Sequence, residues 1–375
     1  MKGIWKYGHL LPSIGEGCRL TLGEGDTPLI KSRQLGPLLG LENLYFKLEM
    51  VNPSGSYKDR FAACAVSDLL QREIKFCLAT SSGNTGSALA AYCAAANIKC
   101  YLVLVDGAPI GKLQQMQVYG AETMMVKDFG KNARVTGEVF SELNAIAYKH
   151  GSRVQISAYR YSPLGMVGVQ TIAYEIAEEL PDMAGHVFSP AGGGGLTLAI
   201  TRGFQFWKEH NPNFKMPKVH CVQPIGNNSI ASPLRNGLHK AKAVSQSTTL
   251  ISGLQVPNVI DGDEVIAACR ASGGTGYAVT DELIYESQHN MAAKEGIFCE
   301  PAGAVGFAGL IMALKNKEIN VKDHIVCMVT GHGFKDPVAA AEIAEKSASH
   351  YFKNTKDTFQ YVISQIEKNN ITNFK

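Results

Sequence analysis

The chain has 375 residues, 45% of them hydrophobic and 18% charged, with 36 basic against 33 acidic side chains for a formal net charge of +3. That apolar content excludes a disordered or fibrous chain, and the length suits one large domain or two ordinary ones. The charges are mixed along the chain with no basic block, so nothing argues electrostatically for nucleic acid or a membrane surface, and a small-molecule partner is expected.

From the N-terminus, Met1-Lys2-Gly3-Ile4-Trp5-Lys6-Tyr7 lacks the long apolar core of a secretory signal, and no run approaches the ~20 apolar residues that a bilayer span needs. Short apolar, β-branched runs at 76–80, 100–105, 123–126, 154–157, 187–189, 219–223 and 325–330 predict strands. Helical patterns lie between them at 87–96, 112–119, 133–149, 166–179, 196–208, 281–294 and 302–314, and another begins at Phe61. Continuous apolar strands alternating with helices predict an α/β fold with parallel sheets covered on both faces. The polar stretch after about residue 346 reads as an appended helix or tail. Nine cysteines, at 18, 64, 77, 93, 100, 221, 269, 299 and 327, form no Cys-x-x-Cys pair. Most sit in apolar runs such as Ile325-Val326-Cys327-Met328-Val329, as small buried hydrophobes in a reducing cytoplasm. Neither they nor the ten histidines show metal-ligand spacing, so no metal and no thiolate cluster is expected.

Glycine stands at 38 of 375 positions, about 10% against a usual ~7%, and several glycines fall where a predicted strand gives way to a helix. Open α/β sheets bind ligands there, because bare backbone N–H groups and the positive end of a helix both face an anion. Ser189-Pro190-Ala191-Gly192-Gly193-Gly194-Gly195-Leu196 suits a phosphate cradle, since four glycines are entropically costly unless the exposed backbone is used. Thr80-Ser81-Ser82-Gly83-Asn84-Thr85-Gly86-Ser87 suits a carboxylate, and helix capping alone accounts for one or two of those residues but not six. Neither turn is a nucleotide motif, and Gly107-Ala108-Pro109-Ile110-Gly111-Lys112-Leu113 has the wrong spacing for a P-loop.

In Asn52-Pro53-Ser54-Gly55-Ser56-Tyr57-Lys58-Asp59-Arg60, the lysine sits between a turn and a helix start, a place suited to a Schiff-base lysine. Tyr57 is placed to line the same pocket. Asp59 and Arg60 read equally as site residues or as helix-start charge and packing. A phosphate cradle, a carboxylate loop and a positioned lysine together describe a site for pyridoxal 5'-phosphate and an amino acid.

These segments, with Leu22-Gly23-Glu24-Gly25-Asp26-Thr27-Pro28-Leu29, Glu295-Gly296-Ile297-Phe298-Cys299-Glu300-Pro301-Ala302 and Thr330-Gly331-His332-Gly333-Phe334-Lys335-Asp336-Pro337, resemble the pyridoxal-phosphate enzymes of fold type II, and among them most closely the threonine synthases. The resemblance runs in family order to about residue 345. It implies two three-layer α/β domains with mainly parallel twisted sheets and the cofactor in the cleft between them: a smaller mobile domain over 47–153 and a larger one over 1–46 and 154–345, with 346–375 as a C-terminal tail. It implies a cytoplasmic homodimer and a lyase that turns O-phospho-L-homoserine and water into L-threonine and phosphate. Lys58 would be the catalytic and cofactor-binding lysine, Asn84 would meet the ring hydroxyl, Gly192, Gly193, Gly194, Gly195 and Leu196 would hold the phosphate, and Thr330 would face the pyridine nitrogen. Ser81, Ser82, Gly83 and Thr85 would hold the substrate carboxylate. Where the family usually shows Asn-Pro-x-Arg, this chain reads Ser162-Pro163-Leu164-Gly165, so Arg160 or Arg153 is the candidate for the substrate phosphate. His332 is read as structural, since Lys58 already supplies a base. The same fold and cofactor would also suit a serine or threonine dehydratase, a β-replacement enzyme acting on O-phosphoserine in the manner of cysteate synthase, or a non-catalytic paralogue that binds the cofactor.

Overall fold

The computed structural model describes residues 2–106, 110–130, 132–182, 185–345 and 349–372, so Gly107, Ala108 and Pro109 lie outside the described residues. The chain divides into two compact units, Met1–Pro337 and Val338–Lys375.

The first unit contains two sheets. β1 (Leu29–Lys31), β2 (Asn43–Leu48), β6 (His186–Pro190), β7 (Lys218–Pro224), β8 (Gly276–Val279) and β9 (His324–Val329) form a six-stranded sheet in the order β1-β2-β9-β6-β7-β8. All its pairings are parallel except β1 with β2. β3 (Phe76–Thr80), β4 (Lys99–Leu104) and β5 (Glu122–Met125) form a parallel three-stranded sheet. Alternation along β9 shows why its apolar run is continuous. Val326 and Met328 join a buried cluster with Val169 and Phe204 of two helices, while Ile325, Cys327 and Val329 join another with Val305 and Phe307. Side chains of a strand point alternately to opposite faces, so both faces of this sheet are covered.

The lysine helix, Lys58–Gln71, packs against Pro163–Glu179, which packs in turn against Gly195–His210. Close approach depends on small residues. A Cβ at Gly168 would lie 2.3 Å from the Arg60 carbonyl oxygen, and one at Gly203 would lie 2.6 Å from that of Gln170. The same interface buries charge. Arg60 forms two-pronged pairs with Glu49, at 2.8 and 2.7 Å, and with Glu175, at 2.6 and 2.8 Å, while Lys47 lies 2.8 Å from Glu175. Burial alone would push the Glu175 carboxyl up, but Arg60 and Lys47 hold it down at about 2. Arg60 is therefore a packing residue of the helix interface.

Three expectations change. The run 154–157 is not a strand: Gln155 makes one bridge to Ala79, and the next residues turn to side chains, with Ile156 N donating to Ser162 Oγ at 3.2 Å. β1, β2 and β8 were not expected, since two are short and Lys47 interrupts the apolar pattern of the third. The cysteines do form a cluster. Cys77 and Cys100 face each other in register on β3 and β4, Cys93 comes from the helix Asn84–Ala95, and the three buried sulfurs lie within 4.8 Å of one another. Their spacing in sequence, across two strands and a helix, hides this.

In the second unit the polar C-terminal stretch carries the helix Thr355–Thr372, whose start is capped by Asn354 Oδ1 accepting from Asp357 N at 2.9 Å. His350, Phe352 and Tyr361 pack their rings together beside it.

Candidate active site

The ends of β3, β6 and β9 and the starts of four helices converge on a cleft of about 260 Å³. Lys58, Ser81, Gly83, Asn84, Thr85, Gly192, Gly193, Gly194, Gly195, Leu196 and Thr330 all line it, as does Tyr57. Ser82 and Arg160 do not. Ser82 Oγ accepts from Val105 N at 3.0 Å and so secures the end of β4. Arg160 is exposed, its backbone N–H donates to Asp261 Oδ1 at 3.1 Å, and its guanidinium lies 6.0 Å from the Tyr161 ring. Arg153 is absent from the lining as well.

Lys58 is the first residue of its helix. Its Nζ donates to Ser157 Oγ at 2.6 Å and lies 4.4 Å from the centre of the Tyr57 ring. Ser157 Oγ in turn lies 2.9 Å from Thr85 Oγ1. Burial disfavours the ammonium form and lowers the Lys58 amine to about 7, with Glu300 and Asp261 opposing that shift. A lysine neutral near pH 7 is a nucleophile for a carbonyl, which an ordinary surface lysine is not. Reductive alkylation of Lys58 by a small aldehyde should therefore accelerate as the pH rises through about 7 and level off above it, while exposed lysines accelerate only toward 10. Peptide mapping of the labelled chain at several pH values checks this.

The glycine turn follows β6. Gly194 adopts φ +95°, a left-handed conformation, and caps the helix Gly195–His210. The first N–H groups of that helix have no partners within it, and its first residues, Gly195 and Leu196, line the cleft. A Cβ at Gly194 would meet Val265 at 2.6 Å, whereas one at Gly193 meets only Ile260 and Val256 at ordinary contact distance. Across the cleft, Ser81 Oγ accepts from the N–H groups of Gly83 and Gly86 at 3.3 and 3.1 Å, holding the loop that opens the next helix.

Asn84 Nδ2 donates to Glu300 Oε1 at 2.6 Å, and Asn84 Oδ1 is buried without a hydrogen-bond partner. Such an atom inside a cleft is a vacancy for a ligand's donor. Glu300 Oε2 lies 3.2 Å from Lys112 Nζ, which also donates to Ser252 Oγ at 3.0 Å. Thr330, at the end of β9, accepts Tyr57 N at 3.1 Å through its carbonyl. His332 lies outside this cleft and caps a turn by accepting from Phe334 N at 3.3 Å. Ser157, Glu300, Lys112 and Ser252 had escaped sequence reasoning. Only Glu300, directly before Pro301 at a helix start, carried a local signal.

A part-buried amine, an orphaned amide oxygen, a glycine turn of open donors and a hydroxyl at the opposite strand end fit an aldehyde cofactor that carries a ring and a phosphate. A family model described as "Pyridoxal-phosphate dependent enzyme" matches residues 20–331. The chain is 34% identical over 349 residues to threonine synthase of Methanocaldococcus jannaschii, covering 92% of this chain and 83% of that one. It is 32% identical over 342 residues to threonine synthase of Synechocystis sp., covering 90% and 84%. Among solved structures, the processed form of threonine deaminase isoform 2 from Solanum lycopersicum superposes with a TM-score of 0.70 at 25% identity, covering 86% of this chain and 83% of that one. Maize serine racemase superposes with a TM-score of 0.69 at 20% identity, covering 92% and 93%.

Proposed function

Because the chain belongs to the family of pyridoxal-phosphate dependent enzymes, we propose that its cleft acts as a threonine synthase does, taking O-phospho-L-homoserine and water to L-threonine and phosphate. The observation that carries this reading is the Lys58 amine, lowered to about 7 and held at 2.6 Å on Ser157 opposite the glycine turn. When bound, the cofactor supplies a conjugated ring into which the electrons of a broken Cα–H bond spread.

The residues divide the work. Lys58 would hold the cofactor aldehyde through Nζ and, as a free amine, would take the proton from the substrate's Cα and move protons at Cβ. Ser157 and Thr85 form a hydroxyl pair that keeps Nζ aimed into the cleft. Gly192, Gly193, Gly194, Gly195 and Leu196 would bind the cofactor phosphate with backbone N–H groups, and Asn84 would meet the ring hydroxyl. Thr330, which lines the cleft, would offer the pyridine nitrogen a neutral hydroxyl, which would stabilise a protonated ring less than a carboxylate and so favour elimination and replacement over transamination. Ser81, Gly83 and Thr85 bind the substrate carboxylate at the start of their helix. Closure of the segment 47–153 over the substrate keeps water out until it is needed at Cβ.

Gly193 separates the cofactor's share of this site from the fold's. Gly193→Ala adds a methyl group that the protein tolerates but that stands between the turn and an anion. Cofactor affinity should fall roughly 10- to 100-fold, the cost of weakened hydrogen bonds to a charged group, while the melting temperature without cofactor stays the same. Titration with pyridoxal phosphate, beside melting curves, measures both.

A second reading, formation of 2-oxo acids from serine or threonine, draws support from Gly165, which stands where the resembled synthases have an arginine. Phosphate and threonine measured from O-phospho-L-homoserine, phosphate from O-phosphoserine and 2-oxo acid from threonine separate the readings. Threonine formed with equimolar phosphate supports the first; 2-oxo acid alone sinks it.

A further inference from the structure

A cleft that accepts a phosphorylated side chain must offset the desolvation of a dianion with positive charge or strong donors. The cation suggested by sequence cannot do so here. Arg160 is exposed and outside the cleft, and a side chain at position 165 has no room, because a Cβ there would lie 2.5 Å from the Phe61 ring. Lys58 is committed to the cofactor. Among the described residues, one further cation touches side chains of the lining: Lys112, 1% exposed, which reaches Ser252 Oγ at 3.0 Å and Glu300 Oε2 at 3.2 Å.

The direction of these bonds matters. An oxygen that accepts from an ammonium must aim its own O–H elsewhere. Ser252 lines the cleft beside Gly253, where the chain packs on the glycine turn, so its hydroxyl, polarised by Lys112, is a donor available to the cleft. Charge-assisted donors of this kind prefer anions to neutral groups. Glu300 limits how far the Lys112 ammonium can move and is itself tied to Asn84, so the donor keeps a fixed position relative to the cofactor-facing amide.

Resting on the cleft assignment above, we propose that Lys112 and Ser252 form the subsite for the anionic end of the substrate side chain, and that they make the protein selective for amino acids with a phosphorylated side chain. The pair takes over, from a different helix and a different loop, the charge that position 165 does not carry.

Binding tests this without turnover. The cofactor-loaded protein is titrated with a phosphonate analogue of O-phosphohomoserine, in which a methylene replaces the bridging oxygen so that nothing can leave. It is titrated separately with the uncharged amino acid of the same carbon chain, both followed by the visible spectrum of the cofactor. The unaltered protein should prefer the phosphonate, and Lys112→Met should cut that preference roughly 10- to 100-fold. Since that change strands Glu300, Ser252→Ala serves as the second variant: it keeps the Lys112–Glu300 pair and should cut the preference roughly tenfold. No preference in the unaltered protein, or equal weakening of both ligands in the variants, overturns the subsite. Phosphonate preference without phosphate release would instead count against the proposed reaction and leave the subsite standing.

Discussion

Lys58→Ala should reduce turnover by at least roughly 10³- to 10⁴-fold and remove the visible absorbance of the lysine-bound cofactor. Two losses combine. The amine that holds the cofactor aldehyde disappears, and so does the group that moves protons at Cα and Cβ, a contribution of about 10²- to 10⁴-fold by itself. The fold should survive, because Lys58 lines the cleft and, among the described residues, only Ser157 Oγ is hydrogen-bonded to Nζ. The glycine turn remains intact, so the variant should still take up pyridoxal phosphate without a covalent link, and added small amines should restore part of the proton transfer. Absorbance spectra and phosphate release, measured on the same preparation, check this. Turnover and spectrum both unchanged in the variant would remove Lys58 from the chemistry.

The largest expected effect on stability lies outside the cleft. Arg60→Met leaves Glu49 and Glu175 in a buried interface without the guanidinium that bridges them. Breaking a buried pair in this way costs about 3–5 kcal/mol, much of it the Glu49 carboxylate stripped of its cation, while Glu175 keeps Lys47 alone. Glu175 also predicts the shape of the acid limb. Its carboxyl is held at about 2 in the folded chain, against about 4.3 unfolded, so the unfolded state binds the proton first as pH falls. Its contribution is complete above the unfolded value and is lost as pH drops from there toward about 2. Denaturant titrations from neutral to acid pH should show that part of the slope in the unaltered chain and a flatter limb in Arg60→Met. A destabilisation under 1 kcal/mol at neutral pH would mean that the network is not held as its distances indicate.

What could be read from the sequence was local. The glycine turn, the Ser81–Thr85 loop and Lys58 each stand at a strand-to-helix or turn-to-helix junction, where a few consecutive residues state the chemistry. Ser157, Glu300, Lys112 and Ser252 could not be read in the same way, because their roles come from topology. Ser157 meets Lys58 across 99 residues, and Glu300 meets Asn84 across 216. The same physics hid the Cys77, Cys93 and Cys100 cluster. Arg60 was ambiguous beside Lys58, since a charged residue next to a reactive one looks the same in sequence whether it faces the cleft or, as here, the helix interface. Arg160 shows a related effect: its own backbone N–H and that of Tyr159 are drawn to Asp261, and its side chain is exposed and outside the cleft lining.

Three lysines, Lys58, Lys112 and Lys335, lie wholly or partly out of solvent around this region, and the account assigns the cofactor to the first alone. Borohydride reduction of the protein loaded with pyridoxal phosphate, followed by peptide mass mapping, fixes the cofactor to whichever amine holds it. One pyridoxyl group per chain on the peptide containing Lys58 is the predicted result. The label on Lys112 or Lys335, or no stable label at all, would contradict it.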